Sequence, residues 1–86
     1  MATNSELLKR HSEVLPSWLA LYYDPPISMD YGEGRHVYDV EGNRYLDFFG
    51  GILTTSLGYD IPEVTKAINE QASKVLHSST LYLSEP

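Results

Sequence analysis

The sequence predicts an α+β segment, made of a short N-terminal helix, a β-hairpin and an amphipathic helix in that order along 86 residues. Three observations predict it. Leu7, Leu8, Val14 and Leu15 fall on one helical face behind Thr3 and Glu6, which have the spacing of a capping box. Two β-rich runs flank Asp39-Val40-Glu41-Gly42, with Asp39 and Gly42 at the first and fourth positions that a type I turn prefers. Val64, Ala67, Ile68, Ala72, Val75 and Leu76 make an apolar stripe at helical spacing.

The first helix is expected within residues 1–15, because Pro16 cannot continue it. A free helix this short is marginal in water, so it should lie on a partner surface. Asp24-Pro25-Pro26 then forces an extended stretch leading into Ile27-Ser28-Met29. The hairpin is placed at 35–49, with one strand on each side of the turn.

Gly50-Gly51-Ile52-Leu53-Thr54-Thr55-Ser56-Leu57-Gly58 follows, uncharged and with glycine at both ends. It suits either a buried strand or a loop whose backbone lies close to a ligand, and its periodicity decides for neither. The Gly-Gly pair is not a phosphate loop, since the glycine spacings of the P-loop and of the dinucleotide fingerprint are absent. The last helix is expected at 60–77, with Asp60 and Glu63 spaced as a second capping box, Pro62 tolerated in the first turn, and Glu70 paired with Lys74 on the polar side.

Six Lys and Arg against twelve Asp and Glu give a formal charge of −6, which repels a phosphate backbone and an anionic membrane, so no nucleic-acid partner is expected. No cysteine is present, which excludes a disulfide framework and a thiolate metal site. The unbroken apolar run Trp18 to Tyr23 is too short for a membrane span or a signal-peptide core, and Glu6 and Glu13 among the few basic residues do not fit an Arg-rich transit peptide; a cytoplasmic location is expected. His11, His36 and His77 have no metal-ligand spacing, so no metal site is expected. Asp39 and Asp47 suit either a carboxylate pair for acid/base work or acceptors for nearby backbone amides.

A lone domain of this size buries about 60–65% of its unfolded surface. Marginal stability and the Leu81-Tyr82-Leu83-Ser84-Glu85-Pro86 end, which lacks a polar tail, lead us to expect a piece of a longer protein cut within a connecting segment.

The stretch Tyr38-Asp39-Val40-Glu41-Gly42-Asn43-Arg44-Tyr45-Leu46-Asp47-Phe48, the glycine-bearing loop, Gly58-Tyr59-Asp60-Ile61-Pro62-Glu63-Val64 and the helix with Glu70-Gln71-Ala72 resemble, in order and spacing, the opening of class III pyridoxal-phosphate aminotransferases. The resemblance runs from about Leu15 to Tyr82. It departs at Tyr59 and Ile61, where the family commonly writes histidines as G-H-x-H-P.

The resemblance implies that residues 1–86 are the N-terminal segment of such an enzyme, part of the small domain of a type I pyridoxal-phosphate α/β fold. It implies a homodimer, pyridoxal 5′-phosphate as cofactor, and a small-molecule amino donor and a 2-oxo acid as substrates. The loop Gly51, Ile52, Leu53 and Thr54, together with Tyr82, is implied to face the substrate. Apolar Ile52 resembles the 4-aminobutyrate type, whereas a tyrosine there marks ornithine-type enzymes; an ordinary core isoleucine is the other reading.

The family's Schiff-base lysine, its aspartate for the pyridinium nitrogen and its phosphate-binding turn match nothing here. Lys9, Lys66 and Lys74 are the only lysines. The segment alone is therefore expected to be inactive. Two other readings stand beside this one: an inactive short product that binds a partner through apolar faces, and a lyase, decarboxylase or aminomutase of the same fold.

Overall fold

Thr3 caps helix α1, Asn4–Val14, as its spacing with Glu6 predicts. The Glu6 backbone N–H donates to Thr3 Oγ1 at 3.3 Å, and the Thr3 N–H donates to Glu6 Oε2 at 2.8 Å. Two of the four orphan donors at the helix start are thereby satisfied. The helix ends at Leu15, immediately before Pro16.

The computed structural model describes residues 1–84; Glu85 and Pro86, the end of the expected connecting segment, lie outside the described residues. After α1 come β1, Met29–Glu33; β2, His36–Asp39; β3, Arg44–Leu46; a single helical turn, α2, Gly50–Leu53; and α3, Pro62–Ala72. The three strands form one antiparallel sheet in the order β1-β2-β3.

The expected hairpin is β2 and β3, with Val37 opposite Tyr45 and Tyr38 opposite Arg44. Its turn follows the sequence closely: the Gly42 N–H donates to the Asp39 carbonyl at 3.0 Å, and Gly42 takes a φ of 85°. A type I turn followed by a left-handed residue closes a hairpin in this way, which is why glycine is needed at 42.

Strand β1 was not expected. Met29-Asp30-Tyr31-Gly32-Glu33 is poor in β-formers, and its pairing with β2 comes instead from the two-residue connection at Gly34 and Arg35 and from tertiary contact. Tyr31 stands opposite Tyr38, and their rings stack at 4.4 Å between centroids with 5° between planes. Such a cross-strand aromatic pair is worth about 0.5–1.5 kcal/mol beyond area burial.

The N-terminus of α1 is tied to this sheet. The Asn4 N–H donates to Glu41 Oε1 at 2.9 Å, Asn4 Nδ2 donates to the Pro26 carbonyl at 2.8 Å, and Ser28 Oγ donates to Asn4 Oδ1. The helix therefore rests against the hairpin turn through polar contacts at its first residue. Its apolar side is uncovered further along, with Val14 77% exposed.

Helix α3 is shorter than the expected 60–77 and is not capped by Asp60. Pro62 occupies its first turn, and the residue before a proline is held in extended backbone, so Ile61 becomes the N-cap at φ −84°, ψ 111° with no side-chain bond. Asp60 lies outside the helix at φ 53°. At the other end Ser73 Oγ donates to the Asn69 carbonyl and Gln71 Nε2 to the Val75 carbonyl, contacts that compete with helical hydrogen bonding. Because Lys74 falls beyond the helix, the expected Glu70/Lys74 pair is replaced by Lys66 with Glu70 at 3.8 Å.

Only Val37 and Asp39 are buried among the described residues. The radius of gyration is 16.8 Å, against about 12 Å for a compact chain of this length. Trp18, Phe48, Ile68, Leu76 and many other apolar side chains remain exposed. No helix among the described residues is long and apolar enough to cross a membrane.

Candidate functional site: the loop between Asp47 and Tyr59

Asp39 and Asp47 do not form a carboxylate pair for acid/base chemistry; each is fully engaged with its own surroundings. Asp39 Oδ1 accepts from the Glu41 and Asn43 backbone amides at 3.0 and 2.8 Å, and Oδ2 accepts from Asn43 Nδ2 at 3.0 Å and the Tyr45 hydroxyl at 2.8 Å. The Asn43 side-chain bond, ahead of the other donors, holds the Asp39 carboxyl below its ordinary range. The carboxylate in turn raises the Tyr45 phenol. Asp39 is the hub of the hairpin turn, the backbone-acceptor alternative that its sequence position allows.

Asp47 has a different geometry. Oδ1 accepts from the Phe49 and Gly50 amides at 2.8 and 2.9 Å, where the loop 50–58 begins. Oδ2 accepts from the Tyr59 hydroxyl at 2.5 Å, where that loop ends. The Tyr59 bond is the leading cause of the lowered Asp47 carboxyl, with the Gly50 and Phe49 amides behind it. Tyr59 is raised, first by the Asp47 carboxylate, and the nearby Thr55 hydroxyl, which is buried without a hydrogen bond of ordinary geometry, opposes that shift.

The far end of the loop is also fixed by backbone. Gly34 and Tyr59 exchange N–H···O bonds in both directions, at 3.1 and 2.7 Å. A Cβ on Gly58 would lie 2.7 Å from the Gly34 carbonyl oxygen, so glycine is required for that approach.

Between these anchors the chain turns the wrong way for L-residues. Gly50, Gly51, Ile52 and Leu53 have φ of 58°, 58°, 62° and 66°, which makes α2 a turn of left-handed helix. Left-handed backbone costs about 1–2 kcal/mol per residue with a side chain, and a β-branched isoleucine is among the least tolerant. The Thr54 hydroxyl donates to the Gly51 carbonyl at 2.8 Å, and the Thr55 N–H donates to the Gly50 carbonyl at 3.0 Å. The turn leaves Ile52 77% and Leu53 75% exposed. The segment is a turn and not a buried strand, and Ile52 is not covered by any of the described residues.

A cavity of about 330 Å³ lies between this loop and the β1-β2 connection, lined by Gly34, Arg35, Asp47, Phe48, Phe49, Gly50, Leu53, Thr55, Ser56, Leu57, Gly58 and Tyr59. The structure thus brings Leu53 to a cavity together with residues that the sequence did not single out. Gly51 and Ile52 sit on the same turn, and Thr54 follows it directly in right-handed backbone. Tyr82 does not join them: it follows α3, is 73% exposed and does not line the cavity.

No group of three or more His, Asp or Glu among the described residues could hold a metal ion.

Residues 20–86 match the family described as aminotransferase class-III. This chain belongs to the class III aminotransferases. It is 43% identical over 83 residues to an acetylornithine aminotransferase of Bifidobacterium longum, covering 96% of this chain and 19% of that protein. Two crystal structures of class III aminotransferases share its architecture. The acetylornithine aminotransferase of Elizabethkingia anophelis has a TM-score of 0.83 at 27% identity, with 99% of this chain and 21% of that one covered. The taurine:2-oxoglutarate aminotransferase of Bifidobacterium kashiwanohense, in complex with PLP and glutamate, has a TM-score of 0.79 at 28% identity, with 99% and 19% covered.

The chain spans about one fifth of the length of these class III relatives. Its helix-and-small-sheet architecture is a fragment of their fold. The residues present do not make a cradle for pyridoxal phosphate. No lysine lines the cavity, and the side chains of Lys9 and Lys66 are 78% and 76% exposed on helices.

Proposed function

We propose that this chain is the N-terminal segment of a pyridoxal-phosphate-dependent enzyme that moves an amino group from an amino donor to a 2-oxo acid, and that it walls one side of the donor pocket. The observation that carries this role is the left-handed turn at Gly50–Leu53. Strain of this kind persists only where the surroundings over-determine it, and it concentrates at ligand-facing segments. It falls on Ile52 and Leu53, between Gly51 and a right-handed Thr54, and these four are the positions that the class III resemblance implies for the substrate wall. Tyr82 belongs to the same proposal as a second contact, with a phenol that can serve as a hydrogen-bond handle.

The donor class is read from Ile52. The relatives named above act on donors as different as acetylornithine and taurine. An isoleucine offers no hydrogen bond to a carboxylate, which favours an ω-amino donor held by apolar contact at this position. The cofactor supplies the electron-sink chemistry in the complete protein, and this segment's residues bind and orient the donor. A homodimer in the cytoplasm completes the proposal, and the segment alone is inactive.

The test is to express the full reading frame with pyridoxal phosphate and to follow a panel of donors with 2-oxoglutarate. Amino transfer with stoichiometric consumption of the 2-oxo acid is the expected result. A product formed without 2-oxo acid consumption would instead assign a lyase, decarboxylase or aminomutase.

A further inference from the structure

One carboxylate closes the whole loop 50–58. Asp47 Oδ1 holds the Phe49 and Gly50 amides at its start, while Oδ2 receives the Tyr59 hydroxyl at its end. Tyr59 is itself held from two further sides: its ring lies over Gly32, and its backbone pairs with Gly34. The anchor point is thus built on the sheet, and the left-handed turn hangs between two fixed ends. Asp47 and Tyr59 line the cavity beside the loop but lie outside the left-handed turn proposed to face the donor.

We propose that Asp47 and Tyr59 form a positioning pair that sets the conformation of the 50–58 loop and so controls donor preference without touching the donor. The inference rests on the reading of that loop as the donor wall. Left-handed Ile52 and Leu53 have the less strained right-handed region open to them once the loop ends are free to move. With the bond broken, the turn relaxes and the side chains of residues 52 and 53 leave their places. The effect on donor choice then comes through backbone geometry.

The experiment uses the full-length holoenzyme and reads the ratio of kcat/KM for an ω-amino donor to that for a diamino acid with an α-carboxylate. Tyr59→Phe, which removes only the hydroxyl, is expected to change the ratio by about 2- to 10-fold, the span that loss of one hydrogen bond gives. Asp47→Asn keeps an oxygen for the Phe49 and Gly50 amides but replaces the oxygen that accepts from Tyr59 with an amide N–H, which weakens the charge-assisted bond, and is expected to shift the ratio in the same direction by no more than Tyr59→Phe does. The double variant should change the ratio no more than Tyr59→Phe alone, because both act on one bond. Should Tyr59→Phe fail to fold, Asp47→Asn carries the test alone.

Thr3→Ala, which removes the α1 cap far from the loop, serves as the control for general destabilisation. It should lower the melting temperature and leave the ratio unchanged; a shift in the ratio equal to that of Tyr59→Phe overturns the proposal, as do independent, additive effects of the two single variants. Ile52→Tyr separates the two readings. A shift with Ile52→Tyr but none with Tyr59→Phe or Asp47→Asn defeats the positioning pair alone, whereas no shift with Ile52→Tyr defeats the donor-wall reading and the positioning pair with it.

Discussion

The Tyr59 ring lies directly over Gly32: a Cβ built on Gly32 would meet Tyr59 Cγ at 2.2 Å and Cδ1 at 2.5 Å. No methyl group fits that gap, so strand β1 and the segment after the loop are matched to one another by the absence of a side chain. Gly32→Ala is expected to push Tyr59 off the sheet, at a cost of about 1–3 kcal/mol, the usual range for overpacking. Thermal denaturation of the complete protein checks this. An unchanged melting temperature would mean that the ring finds another seat.

The same tyrosine makes the loop anchor resistant to pH over a wide range. Asp47 has a lowered pKa, led by the Tyr59 hydroxyl, and Asp39 a lowered one, led by the Asn43 side chain. A depressed carboxyl contributes stability that is present above its ordinary value, 3.8, and is lost as pH falls through the folded value below it. Tyr59 is raised above 10.0, so its contribution is complete below pH 10 and disappears as pH rises through the folded value. Proteolysis of the 50–58 loop in the complete protein should therefore stay flat from about pH 5 to 9. It should quicken below pH 3.8 and above pH 10. Quickening near neutrality would show that another group governs the loop.

The elements that the sequence made legible are those with local causes. Thr3 and Glu6 fix a helix start within four residues, and Asp39 with Gly42 fixes a turn within four. Strand β1 was hidden because Asp30, Gly32 and Glu33 give it no β signal, and only its partner β2 makes it a strand. At α3 two local signals conflicted, and the fixed backbone of Pro62 prevailed over the capping potential of Asp60. The handedness of Ile52 and Leu53 could not be read at all, since neither residue type favours positive φ. The Asp47 and Tyr59 bond spans twelve residues with no period to betray it. Its one sequence trace is Tyr59 itself, standing where the family commonly has a histidine.

Residues 1–86 on their own are expected neither to melt cooperatively nor to bind pyridoxal phosphate covalently. Val37 and Asp39 are too small a buried set to offset the ordering of this many residues, and the exposed apolar side chains invite self-association. Size-exclusion chromatography with a thermal scan checks the first expectation. For the second, borohydride reduction followed by mass mapping should find no lysine modified stoichiometrically; specific labelling of Lys9, Lys66 or Lys74 would contradict it.

Ile52→Tyr distinguishes a substrate wall from a packed interior. Within this chain Ile52 is 77% exposed, so nothing among the described residues obstructs a larger side chain there. Its backbone at φ 62° is no harder for tyrosine than for a β-branched isoleucine. If position 52 faces the donor, the phenol adds a hydrogen-bond donor where isoleucine had none. A site that newly pairs with a carboxylate shifts preference by about 1–3 kcal/mol, or roughly 5- to 150-fold in kcat/KM. Diamino acids bearing an α-carboxylate should gain, ω-amino donors without one should lose, and the melting temperature should hold. If the rest of the complete protein instead packs over Ile52, the added bulk costs about 1–3 kcal/mol of stability and leaves the donor ratio as it was. Melting temperature and donor ratio therefore move in opposition between the two cases, and measuring both on one variant decides whether Ile52 meets the substrate.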